Sequence, residues 1–322
     1  MSSYSSRRSL LRLMLGGAFG FPPIAAWAGE FSPWCVAFAP EGDTLAAGSE
    51  DGSICLWDLK GGGAPRVWRG HTDAVFGVAF SPDGALLASC GRDAPRVRLW
   101  EVATGKVRTA WDAHPKWVWT ACFSSDGRRL ATCGGDSLVR IYPTGETTPA
   151  LELAGHEGAV KRLAWCDNGR KLLSAGDDVL LHVWDAATGA SLHALAGHTS
   201  WLEGVAAAPA GAVAVTAGAD RTLRAWDVAE GKELRVFGTR VPDLASVAVD
   251  AEGVHAASGA ADRSLRIWNI ATGAQLFQRT LPATPLEVAF SPDGKRLAAA
   301  LRDDSVRIYS GLELEEGTIF RP

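Results

Sequence analysis

A histidine, a hydroxyl and an aspartate recur together in this 322-residue chain, and those three types are the parts of a nucleophilic triad. The sets are His71, Ser89 and Asp93; His114, Thr132 and Asp136; His156, Ser174 and Asp178; His198, Thr216 and Asp220. In each, the His lies 22 residues before the Asp and the hydroxyl four before it. A catalytic centre needs one such set, so four at one spacing mark a structural part used repeatedly. No G-x-S-x-G turn is present to expose a serine nucleophile. The other chemistry open to these residues is a buried hydrogen-bonded chain. The Asp accepts turn N–H groups and one ring N–H of the His; the second ring nitrogen reaches the hydroxyl; the hydroxyl meets an aromatic donor further on. That donor is Trp100, Trp184 or Trp226, with Tyr142 in its place in the second set. Such a chain satisfies each buried polar group, which is the condition for burying it. No catalytic residue is assigned.

The elements that hold these residues are strands. Gly70 to Glu101 reads as three apolar segments with period-2 alternation, VFGVAF, ALLAS and RVRLW, separated by SPDG and GRDAP turns. The same unit recurs. The aromatic ending its third segment falls at Trp57, Trp100, Tyr142, Trp184, Trp226, Trp268 and Tyr309, with gaps of 43, 42, 42, 42, 42 and 41. An Asp precedes it by six residues in six units, and by seven in the second, where Ala94-Pro95 lengthens the turn. A period near 42 excludes 34-residue helical repeats and fits a four-stranded blade. The dipeptide is WD at 57, 184 and 226, WE at 100 and WN at 268. On these residues the chain resembles the WD40 family from Gly29 to Phe320. The resemblance implies an all-β, seven-bladed propeller whose blades carry the His–Ser/Thr–Asp–Trp network. Units 1, 6 and 7 lack the His, and units 1 and 7 have Ala47 and Ala299 where the hydroxyl belongs.

Residues 1–28 fall outside the repeat. Arg7-Arg8 in S-R-R-S-L-L-R, an apolar run and Ala26-Trp27-Ala28 resemble a twin-arginine export signal, which makes the expected location periplasmic or secreted, with a cytoplasmic ring as the alternative. The domain reading is a 1–28 signal followed by a 29–322 propeller. Ile24 to Trp27 also align with an outer strand, but Thr318-Ile319-Phe320 fall where Arg235-Val236-Phe237 fall in unit 5, so the C-terminus can supply that strand. A net charge of −4 argues against nucleic acid as partner, and no apolar span of membrane length occurs. The six cysteines show no metal spacing and read as buried thiols. His182, His193 and His255 read as surface or filler positions. No metal or cofactor is expected, and a lactonase- or dehydrogenase-like propeller enzyme remains the less favoured alternative.

The resemblance places partner binding on the face bearing the starts of the innermost strands and the residue before each Asp. Trp34, Phe76, Trp117, Trp119 and Trp201 fall there, with Arg92, Lys161 and Arg302 beside them. Trp and Arg dominate interface hot spots. The expectation is a monomeric, non-catalytic scaffold for a protein or peptide partner. Replacing Trp34 and Trp119 by Ala is expected to abolish partner capture with little change in melting temperature.

Overall fold

The computed structural model describes residues 31–94, 96–239 and 241–321. Each repeat folds into one antiparallel sheet of four strands in chain order, and there are seven such sheets. Blade 1 consists of Pro33–Phe38, Thr44–Ser49, Ser53–Asp58 and Arg66–Arg69. The first strands of blades 2 to 7 are Val75–Phe80, Val118–Phe123, Val160–Cys166, Leu202–Ala207, Leu244–Val249 and Pro285–Phe290. Each first strand touches that of the next blade, and blade 7 touches blade 1, so the first strands line a closed ring. Among the described residues the only helical element is a turn at Asp167–Gly169, and no helix is long and apolar enough to cross a membrane.

A blade of this kind has two apolar faces, and both must be covered. The core is accordingly split into seven wedges, each shared by two adjacent blades. Between blades 1 and 2 it holds Cys35, Ile54, Leu56, Trp68, Val75, Leu87 and Trp100. The same division recurs around the ring, so no blade buries its surface alone. The second strands are the most enclosed and the outer strands the least. Val67, Val107, Leu234, Phe277 and Ile319 stand partly in solvent on outer strands.

Closure uses the C-terminus. Glu315–Phe320 pairs with Val306–Ser310 as the outer strand of blade 7, and Phe320 packs on Trp57 of blade 1 with ring centroids 5.5 Å apart. That position is therefore occupied without Ile24–Trp27. The twin-arginine-like stretch and the rest of residues 1–30 lie outside the described residues, as does Pro95.

One irregularity repeats in every blade. The pairing of first and second strands slips by one residue near its start, leaving one residue per blade in a β-bulge. These are Trp34, Phe76, Trp119, Lys161, Glu203, Ala245 and Leu286. A bulge re-aims the side chain that it carries. It also shifts the register, so Cys35, Gly77, Thr120, Arg162, Gly204, Ser246 and Glu287 follow at one equivalent position.

Candidate functional site

The hydrogen-bonded chains form in the blades where all the parts are present. In blade 2, Trp100 Nε1 donates to Ser89 Oγ at 2.8 Å, His71 Nε2 lies 2.7 Å from that oxygen, and His71 Nδ1 lies 2.6 Å from the Asp93 carboxylate. Blades 4 and 5 repeat it through Trp184, Ser174, His156 and Asp178, and through Trp226, Thr216, His198 and Asp220. Valence fixes the direction of each chain. An indole N–H only donates and a carboxylate only accepts, so the hydroxyl donates to Nε2 and the neutral His donates from Nδ1. Ser89, Thr132, Ser174 and Thr216 are wholly buried, so none of the four is an open nucleophile. Blade 3 departs from the expectation: Tyr142 donates its hydroxyl to the Ala113 carbonyl at 3.3 Å, outside the set. In blades 1 and 7, where Ala47 and Ala299 replace the hydroxyl, Trp57 Nε1 and Tyr309 Oη are buried without a partner among the described residues.

A fifth member was overlooked in the sequence. Two residues before the aromatic stands Arg98, Arg140, Arg224, Arg266 or Arg307, and each pairs with the Asp of its own blade, at 2.9, 2.7, 3.8, 2.7 and 3.2 Å. The R-x-[WY] signal was legible five times. Blade 4 has His182 there instead. Of the two readings of His182, surface is corrected and filler stands: it is 3% exposed, stacks on Trp184 and lies 4.0 Å from the His156 ring, centroid to centroid. His156, Asp178 and His182 thus bring three potential metal-ligand atoms within 4.8 Å. The His156 nitrogens are committed to Asp178 and Ser174, as in the blades without a second His, so the trio fits a structural role better than a metal site.

Burial depresses the basicity of His71, His156 and His198, and the attraction of their Asp partners does not restore it. Burial alone would raise the carboxyls of Asp93, Asp136, Asp178 and Asp220. Hydrogen bonds from His, with Arg, Thr or backbone donors, outweigh it and hold all four below the ordinary range. The six thiols are free, and desolvation pushes them up, Cys55, Cys122 and Cys166 to about 12, so they stay protonated.

The residues expected to bind a partner meet at one mouth of the ring. In every blade the N–H of the residue before the Asp donates to the carbonyl of the residue two before the bulge. The pairs run from Glu50 to Ser32 and Arg92 to Ala74 through to Arg302 and Thr284. This bond brings each turn over the start of the innermost strand. Trp34, Phe76, Trp119, Lys161, Trp201 and Arg302 line one cavity, open at the mouth. Trp34 meets Phe76 edge-on at 5.7 Å, Phe76 stacks on Trp119 at 4.6 Å, and Trp117 meets Trp119 edge-on at 6.3 Å. Trp117 and Arg92 do not line the cavity; Arg92 pairs with Asp73.

Exposure divides this group. Phe76 and Trp119 are buried and belong to the wedge between blades 3 and 4, while Trp34, Trp117 and Trp201 are partly exposed. Lys161 is also buried, paired with Asp177 at 2.8 Å and Glu203 at 3.4 Å, with Nζ 5.0 Å from the Trp201 ring centroid. The expectation that Trp119→Ala leaves the melting temperature nearly unchanged is therefore corrected, because it would open a cavity in packed core. Arg162 also lines the cavity, and period-2 reasoning missed it, since only the bulge turns it there.

Seven segments of the chain, 23–58, 63–101, 105–142, 147–185, 189–227, 231–269 and 278–310, match the family profile described as WD40, "WD domain, G-beta repeat". Over 61 residues the chain is 48% identical to a protein of Uncinocarpus reesii named nuclear distribution protein PAC1-1, covering 18% of this chain and 14% of that protein. A protein of Aspergillus flavus named nuclear distribution protein nudF is 44% identical over 61 residues, 18% of this chain and 13% of its own. The chain therefore spans about a seventh of the length of these curated relatives.

Proposed function

The chain belongs to the WD40 family, and from that premise we propose that the ring is a non-catalytic platform binding a protein or peptide partner at the mouth where the bulge residues converge. The observation that carries this reading is the aromatic cavity itself: partly exposed Trp34 and Trp201 stand over a floor of buried rings, fixed by bulges and backbone bonds. A rigid aromatic surface loses little side-chain entropy on binding, which is why such rings serve as anchors. The buried tetrad hydroxyls favour a binding role over hydrolysis. We read the ring as a monomer with a protein partner and no nucleic acid, in keeping with its charge of −4.

For location, a ring that stays in the cytoplasm is better supported than export. The first family segment starts at residue 23, inside the expected signal, and the matched relatives are named for nuclear distribution. N-terminal sequencing of protein purified from its host decides this: a start at Gly29 would restore the export reading.

Binding is tested with Trp34→Ala and Trp201→Ala, which avoid the buried rings. Each is expected to reduce capture of the native-host partner at least tenfold, with a melting temperature within a few degrees of the parent. Undiminished capture by both variants would remove the mouth as the binding surface.

A further inference from the structure

The cations at the mouth differ in what occupies them. Lys161 is held by Asp177 and Glu203, and Arg92 by Asp73. Arg162 is not held in this way. Among the described residues it makes one hydrogen bond, from Nη1 to the Lys161 carbonyl at 3.3 Å, and no ion pair. A guanidinium carries five N–H donors in a planar fork. Of the seven residues at its register position, Arg162 alone lines the cavity. Its neighbours at that position include Gly77, Thr120, Gly204 and Ser246, too short to cover it. Glu287, also there, is near enough for charge interaction but forms no ion pair with it among the described residues. Donor-rich and only partly exposed, Arg162 sits one residue inward of the bulge, beneath an aromatic rim.

We propose that the cavity receives a glutamate side chain of an extended peptide, its carboxylate taken by the Arg162 guanidinium and its methylenes packed between Trp34, Phe76 and Trp119. This rests on the mouth being the partner site. Arg and carboxylate match as a two-bond pair, which adds geometric selectivity to the charge attraction. The position of Arg162, inward of the rim, requires the acid to arrive on a side chain. Glu203, Asp177 and Asp243 near the mouth disfavour a doubly charged phosphate, which would face more repulsion than a single carboxylate.

The test uses the full-length protein, immobilised, and heptapeptide pools acetylated at one end and amidated at the other, so that no terminal carboxylate competes. The central residue is fixed as Glu, Gln, Lys or phosphoserine, with uncharged random flanks. The Glu pool is expected to be retained at least tenfold above the Gln pool. Arg162→Gln should erase that difference, and Arg162→Lys, which keeps the charge without the fork, should preserve part of it. Melting curves that match the parent would show both variants folded. Equal retention of the Glu and Gln pools, stronger retention of the Lys or phosphoserine pool, or an unchanged Glu preference in folded Arg162→Gln would each overturn the proposal. If the Glu preference is absent while native capture still depends on Trp34 and Trp201, this inference fails and the platform reading stands. If capture ignores those tryptophans, the platform reading fails as well.

Discussion

At the residue scale, Asp178 gathers donors from several parts of blade 4. It accepts from His156 at 2.7 Å, lies 3.5 Å from His182, and takes the N–H groups of Glu157 and Leu180 at 3.3 Å each. Asp178→Ala removes the acceptor and leaves buried donors behind, at an expected cost of about 2–4 kcal/mol in urea unfolding. A change under about 0.5 kcal/mol would mean the chain does not hold blade 4 together. Glu287 gives the opposite sign. Burial within the channel lifts its carboxyl from 4.5 to about 7, with Arg162 pulling the other way. A pKa raised by folding means that the folded state favours the proton, so this contribution is full below pH 4.5 and is lost as pH rises through about 7. Glu287→Gln is accordingly expected to stabilise the ring at pH 8 by about 1–2 kcal/mol, less than the full shift because the side chain is partly exposed, and by clearly less at pH 5. Melting temperatures of variant and parent at both values check it; a gain of equal size at pH 5 would refute the assignment. The histidines act on the acid side. Their depressed basicity means that stability falls as pH drops below about 6.5, where the unfolded chain takes up protons that the buried rings refuse.

The blades are not equally well tied at the scale of elements. Blades 2, 4 and 5 have complete chains from Trp to Asp. Blade 6 lacks the His but keeps the bond from Trp268 to Ser258 at 2.9 Å, and Arg266 with Asp262 at 2.7 Å. Blades 7 and 1 leave Tyr309 Oη and Trp57 Nε1 buried without a partner among the described residues. They are neighbours, and their common wedge is also where the first and last described blades meet, with Phe320 against Trp57. Hydrogen exchange should therefore show the second and third strands of blades 7 and 1 less protected than those of blades 2, 4 and 5. Equal or greater protection there would locate the weak seam elsewhere. The bulges explain a different feature of the elements. Strict alternation places residues on a face, yet it cannot place an extra residue, and every bulge residue here stands at the mouth or just beneath it.

At the scale of the whole molecule, the ring explains why sequence went far in one direction and stopped in another. The sequence alone determined the strand count per unit, the number of units and the membership of the His–hydroxyl–Asp sets, because each follows from local periodicity that is repeated until chance is excluded. It also determined which blades would be deficient, since a missing hydroxyl at Ala47 or Ala299 is a fact about residue type. Only the tertiary structure decided which of the mouth residues are buried. Phe76 and Trp119 lie in the wedge between neighbouring blades, and Lys161 is enclosed by Asp177 from its own blade and Glu203 from the next. Only the tertiary structure, too, brought Arg162 to the cavity. Local pattern fixes a side chain's direction relative to its own strand, whereas burial in a wedge and a pair such as Lys161 with Glu203 depend on the neighbouring blade, 42 positions away in that pair, which approaches only when the circle shuts.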